Sequence, residues 1–94
     1  MEITVRYFTV LREVTKKRQE TIEMKQNSTL EDMLSLLIKK YGANFERYVL
    51  SGRETKGLQL ILLLNEQDTS QLSGFKTQLH NRDIVAVIPP VAGG

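Results

Sequence analysis

Cysteine is absent from this chain of 94 residues, and histidine occurs once, as His80. Without a thiol there can be no disulfide framework, no thiol nucleophile and no cysteine metal site. A single histidine leaves zinc only an unusual all-carboxylate set, so His80 reads as a surface residue of a turn and no metal site is expected. Aromatic residues are 6% of the chain, few and not interleaved with the basic residues as stacking platforms for nucleic acid require. The longest apolar run, Leu60 to Leu64, falls far short of the ~20 residues that cross a bilayer. No phosphate-cradling glycine loop occurs, and no nucleophile, histidine and carboxylate stand at a hydrolytic spacing. An autonomous enzyme is therefore not expected, and no catalytic residue is assigned. The start, Met1-Glu2-Ile3-Thr4-Val5, lacks the order of a signal peptide. The expectation is one soluble, cytoplasmic domain with no membrane association.

What is present is ordinary in amount, with 40% apolar and 26% charged residues and a formal charge of +2. Its order is informative. Residues 2–11 alternate, with Ile3, Val5 and Tyr7 on one side and Thr4, Arg6 and Phe8 on the other, which predicts a first strand. The charged stretch from Glu13 to Gln19 interrupts the pattern, and Thr21 to Met24 resume it, so a hairpin with a solvated turn is expected. Ser28 and Thr29 stand three residues ahead of Glu31 and Asp32, a capping-box arrangement. Leu30, Met33, Leu34, Leu37, Ile38 and Tyr41 then recur at helical spacing. Lys39-Lys40 suit the negative end of the helix and Gly42 its exit, so residues 29–41 are predicted to form an amphipathic helix.

Between Ala43 and Gly57 the pattern weakens. Phe45, Tyr48, Val49 and Leu50 suggest a short extra helical turn, with Ser51-Gly52 and Lys56-Gly57 as loop. Residues 59–64 show almost no polar alternation and read as a central strand buried on much of both faces. Their outward side chains either form an exposed apolar patch for a partner or lie under the 43–58 segment; only the register decides. A turn at Asn65-Glu66-Gln67-Asp68 follows, then an irregular stretch anchored by Leu72, Phe75 and Leu79. Asn81-Arg82-Asp83 turns the chain into a last strand, Ile84 to Ile88. A helix with one apolar stripe must cover a sheet face. The expected class is α+β, a mixed sheet of four to five strands packed on one main helix, with the last strand parallel to the first.

The closing residues, Ile88-Pro89-Pro90-Val91-Ala92-Gly93-Gly94, leave that strand as a stiffened stalk. Proline fixes φ and favours an extended path, and glycine passes where no side chain fits. A terminal carboxylate on such a stalk is a reactive group that can be threaded into a partner. Two units follow: a domain over 1–88 and a flexible, protruding tail over 89–94.

Val5-x-Tyr7-Phe8 with Leu11-Arg12-Glu13, Ser28-Thr29-Leu30-Glu31-Asp32-Met33-Leu34, Asn65, Leu72-x-Gly74-x-x-Thr77-x-Leu79, Asp83-x-Val85 and the Pro-Pro-Val-Ala-Gly-Gly end resemble one family. It is the MoaD/ThiS group of ubiquitin-like sulfur carriers, especially the small archaeal modifiers and the small subunit of molybdopterin synthase. The resemblance implies a β-grasp fold and a carrier without catalytic groups or a bound cofactor. An E1-like enzyme, supplying ATP and magnesium, would adenylate the carboxylate of Gly94. The product would become a thiocarboxylate, for molybdopterin synthesis or tRNA thiolation, or be joined to a lysine as an isopeptide. Gly93 would admit insertion, Val91 and Ala92 line the threaded segment, and Pro89 and Pro90 aim it. The implied partners are the activating enzyme and either the large synthase subunit or target-protein lysines, with no direct nucleic acid. Glycines common in the family are replaced at Glu66 and Arg82, so altered turns are expected there. The alternative class is a small basic nucleic-acid-binding domain using Lys16-Lys17-Arg18 and Lys25, with an idle tail.

Overall fold

In the computed structural model, residues 1–54 and 60–89 are described, the side chains of 50–54 excepted. Five strands form one sheet in the order β2-β1-β5-β3-β4. β1 (Glu2–Tyr7) pairs antiparallel with β2 (Gln19–Glu23) and parallel with β5 (Ile84–Ile88). β3 (Ile61–Leu64) pairs antiparallel with β5 and with the two-residue β4 (Gln67–Asp68). The parallel closure of first strand on last is as the sequence implies.

The inner face is set by alternation. Ile3, Val5, Tyr7, Ile22, Leu62, Val85 and Val87 are buried and meet Leu30, Met33, Leu34 and Leu37 of α2 (Leu30–Tyr41). Capping chooses Thr29 over Ser28. The Thr29 hydroxyl accepts from the Asp32 amide at 3.3 Å, and the Asp32 carboxylate accepts from the Thr29 amide at 2.9 Å. Ser28 is used elsewhere, its carbonyl accepting from the Leu79 amide at 2.8 Å.

Four expectations are corrected. The first strand ends at Tyr7, and the connection to β2 contains a short helix, α1 (Val10–Thr15), because Leu11 and Thr15, one helical turn apart, are both buried. The 43–57 segment holds a full helix, α3 (Ala43–Glu54). Gly42, at φ 86°, ends one helix and starts the next: its amide donates to Ile38 and its carbonyl accepts from Glu46. Phe45 and Val49, fully buried at i and i+4, hold α3 to the core despite the poor helix formers Ser51 and Gly52. Lys56-Gly57 lie outside the described residues.

β3, third, is not a strand covered on both sides. Leu62 is buried, while Ile61 is 41% exposed, and the edge strand β4 pairs only with Leu63 and Leu64. The unbroken apolar run of β3 arises because both faces of the sheet are apolar here. Fourth, the turns that lost glycine keep the glycine backbone. Asn65 and Glu66 have φ of 50° and 73°, the double left-handed pattern of a two-residue type I′ hairpin, and Arg82 has φ 70°. In the irregular stretch Leu79 is buried, whereas Leu72 is exposed.

Candidate functional site

Because β5 runs parallel to β1, the chain leaves the sheet at the end where Tyr7 passes to Phe8. Pro89, the first of the proposed tail residues, is buried at that exit. Pro90, Val91, Ala92, Gly93 and Gly94 lie outside the described residues.

Alternate residues of the same strands face away from the helices. The register puts Thr4 beside Ile84, Arg6 beside Ala86, Leu63 beside Ala86 and Ile61 beside Ile88. An apolar ribbon, Ile84-Ala86-Ile88 with Leu63 and Ile61, therefore crosses the outer face and leads to the root of the tail. Ile84 and Ile61 are 45% and 41% exposed. Of the two readings left open for the Leu60–Leu64 run, the exposed patch is the one seen among the described residues; the end of the 43–58 segment lies outside them. Arg6, Phe8, Leu63, Asn65, Glu66, Ile84 and Ala86 surround a shallow depression of about 440 Å³. The Arg6 and Arg12 guanidiniums stand 5.8 and 5.2 Å from the Phe8 ring centre. Arg12 is aimed by its Nε, which donates to the Tyr7 carbonyl at 3.0 Å. Among the described residues neither arginine has an acidic partner within ion-pair distance. An apolar floor with unpaired cations on aromatic support is suited to protein docking. Sequence reading assigned the Thr4-Arg6-Phe8 side but not its neighbours, since strand register lies outside any local pattern.

Of the basic residues weighed for nucleic acid, Lys17 is drawn into an ion-pair cluster. Lys17 Nζ donates to Glu20 at 3.2 Å and Lys40 Nζ to the same oxygen at 2.8 Å. The Tyr7 hydroxyl donates to the other oxygen at 2.5 Å, and the Tyr41 hydroxyl donates to that oxygen as well. Desolvation pushes the Glu20 carboxyl up, but the bonds from Lys40, Tyr41, Tyr7 and Lys17 outweigh it and hold it down to about 2. The Tyr7 hydroxyl is driven well above its ordinary value by burial and then by Glu20. Lys17 is raised by its bonds to Tyr41 and Glu20. The cluster joins β1, β2 and α2 opposite the outer face and is structural. Among the described residues no three His, Asp or Glu are grouped to hold a metal, and no helix is long and apolar enough to cross a membrane.

The sheet order, the single-sided helix packing and the apolar outer face at the tail root define a ubiquitin-like β-grasp module. Comparison with known proteins makes this specific. The ThiS family model matches residues 5–94. The chain is 31% identical to small archaeal modifier protein 3 of Haloferax volcanii over the full length of both. Its fold matches small archaeal modifier protein 1 of Methanosarcina acetivorans with a TM-score of 0.74 at 26% identity, covering 99% of this chain and 96% of that one. It matches Urm1 of Trypanosoma brucei with a TM-score of 0.76 at 19% identity, covering 99% and 95%. The protein belongs to the ThiS family, among ubiquitin-like small modifiers and sulfur carriers. The nucleic-acid alternative finds no support in these relationships.

Proposed function

We propose that this protein is a carrier whose Gly94 carboxylate is activated by an E1-like enzyme that supplies ATP and magnesium. The observation that carries the reading is the apolar outer face running to the exit of β5, in a chain of this family. A partner gripping that face has the tail root beside it, so docking and tail insertion are one event. A carboxylate is a poor acyl donor, because expelling an oxide from it is costly. The carboxylate oxygen attacks the α-phosphorus of ATP, pyrophosphate leaves, and the mixed anhydride then carries AMP as a good leaving group. A sulfur nucleophile displaces AMP to leave a thiocarboxylate, or a lysine amine displaces it to form an isopeptide. This chain contributes no acid, base or metal to those steps. It contributes the docking face, two glycines that fit a narrow channel, and prolines that limit the tail's freedom before insertion. Acceptors are the large subunit of a molybdopterin synthase, a tRNA-thiolating enzyme, or lysines of target proteins.

Intact mass after incubation with an E1-like enzyme, Mg-ATP and a sulfur donor tests the reading. Exchange of one terminal oxygen for sulfur, absent when Gly94 is deleted, is the expected result. An unchanged mass, with no lysine conjugate, beside a second carrier that the same enzyme does convert, would overturn it.

A further inference from the structure

Asn65 and Asp83 lie 18 positions apart, on the β3–β4 turn and on the turn before β5, and the fold brings their side chains together. Asn65 Nδ2 donates to Asp83 Oδ1 at 3.0 Å. Asn65 Oδ1 accepts from the Ile84 amide at 2.9 Å, and the Asn65 amide donates to the Ile84 carbonyl at 2.8 Å. Asp83 Oδ2 accepts from the His80 amide at 2.7 Å, and the Asp83 carbonyl accepts from the Thr4 amide at 3.0 Å. Asp83 is buried although it sits in a turn. Two loops and two strands are thereby tied at one point.

That point is the rim of the outer-face depression. Asn65, Glu66, Leu63 and Ile84 all border it, and Ile84 is the most exposed large apolar side chain on the ribbon. The backbone at Asn65 and Glu66 is left-handed, a conformation that costs a residue other than glycine about 1 kcal/mol. Such a turn persists where surrounding bonds over-determine it, and the bonds of Asn65 to Asp83 and Ile84 supply that.

We propose that Asn65 and Asp83 are positioning residues for activation: their clasp presets the Leu63–Glu66–Ile84 rim that the activating enzyme grips. The proposal rests on the carrier reading above and adds to it the residues that hold the docking face in shape. A face already in its bound form loses less freedom on association, so the clasp acts on recognition more than on the chemical step.

The chemistry of the pair permits a sharp test. In Asn65→Asp, two carboxylates meet at the clasp; in Asp83→Asn, one amide oxygen can accept from only one of Asn65 and the His80 amide, and its NH2 group is left facing the other donor. In the exchanged protein, N65D with D83N, every bond returns: the new carboxylate accepts from Ile84 and from the new amide, whose oxygen accepts from His80. Pyrophosphate exchange driven by an E1-like enzyme is measured against carrier concentration for all four proteins. Each single variant is expected to raise KM about tenfold, roughly 1.4 kcal/mol, with kcat changed less than twofold, and the exchanged protein to recover most of the loss. Amide spectra of the free proteins should show shifts at Leu63, Glu66 and Ile84 in the singles that revert in the exchange. Equal KM in all four folded proteins, or singles that lose only thermal stability, would overturn the proposal and leave the carrier reading intact. An unmodified protein that supports no exchange would count against the carrier reading itself, and the amide spectra would still decide whether the clasp shapes the rim.

Discussion

At the scale of single residues, Glu20 shows how a charge mid-strand becomes structural. It faces inward because its strand neighbours are Gln19 and Thr21 on the outer side, and four donors then meet it. Its folded value near 2 lies below the ordinary 4.5. The linked stability is therefore fully present above about pH 4.5 and is lost as pH falls through about 2. Glu20→Gln should cost about 2–3 kcal/mol at pH 7, and the gap from the parent protein, read from urea midpoints, should narrow steadily below pH 4.5. Arg82 makes a second prediction at this scale. Held at φ 70°, it should be improved by Arg82→Gly, which relieves the left-handed strain and stabilises by about 0.5 kcal/mol after the glycine's entropy is counted; thermal unfolding reads the sign. Glu20's role was not legible in sequence, and at Arg82 the lost glycine was legible but the kept left-handed backbone was not. Glu20 needs partners 13 and 21 positions away, and the retained positive φ at Glu66 and Arg82 is paid for by bonds between distant turns.

At the scale of elements, legibility followed locality. α2 was readable because its cap, stripe and exit all lie within its own segment, and the cap sits where expected. Thr29→Ala should destabilise by about 1 kcal/mol, measurable by denaturant unfolding, whereas Ser28→Ala should cost less because its side chain holds no cap. α3 was underestimated for the opposite reason. Its sequence is a weak helix former, and its helicity comes from Phe45 and Val49 inserted in the core, with Phe45 stacked on Tyr41 at 5.7 Å and edge-on to Tyr7 at 6.2 Å. Phe45→Ala should cost about 3–5 kcal/mol. Helical circular dichroism of that variant should fall by more than α3's intrinsic propensity alone accounts for.

At the scale of the whole molecule, helices cover one face of the sheet, and among the described residues the other carries an open apolar ribbon on β5 and β3 beside the polar outer residues of β1 and β2. The open ribbon is the docking face proposed above, so changes there should separate stability from activity. Ile84→Ser removes an exposed apolar side chain and should shift stability by no more than about 0.5 kcal/mol, while weakening activation by an E1-like enzyme; loss of both together would mean the ribbon is structural. The amphipathic helix and the closing strand follow from the chain alone, because periodicity and capping are properties of neighbours in sequence. The full extent of α3, the gathering of four donors on Glu20, the clasp of Asn65 with Asp83 and the alignment of the outer ribbon with the tail root were decided by the tertiary structure. Each depends on strand register and on contacts between distant segments, which form only when loop closure and burial are settled together.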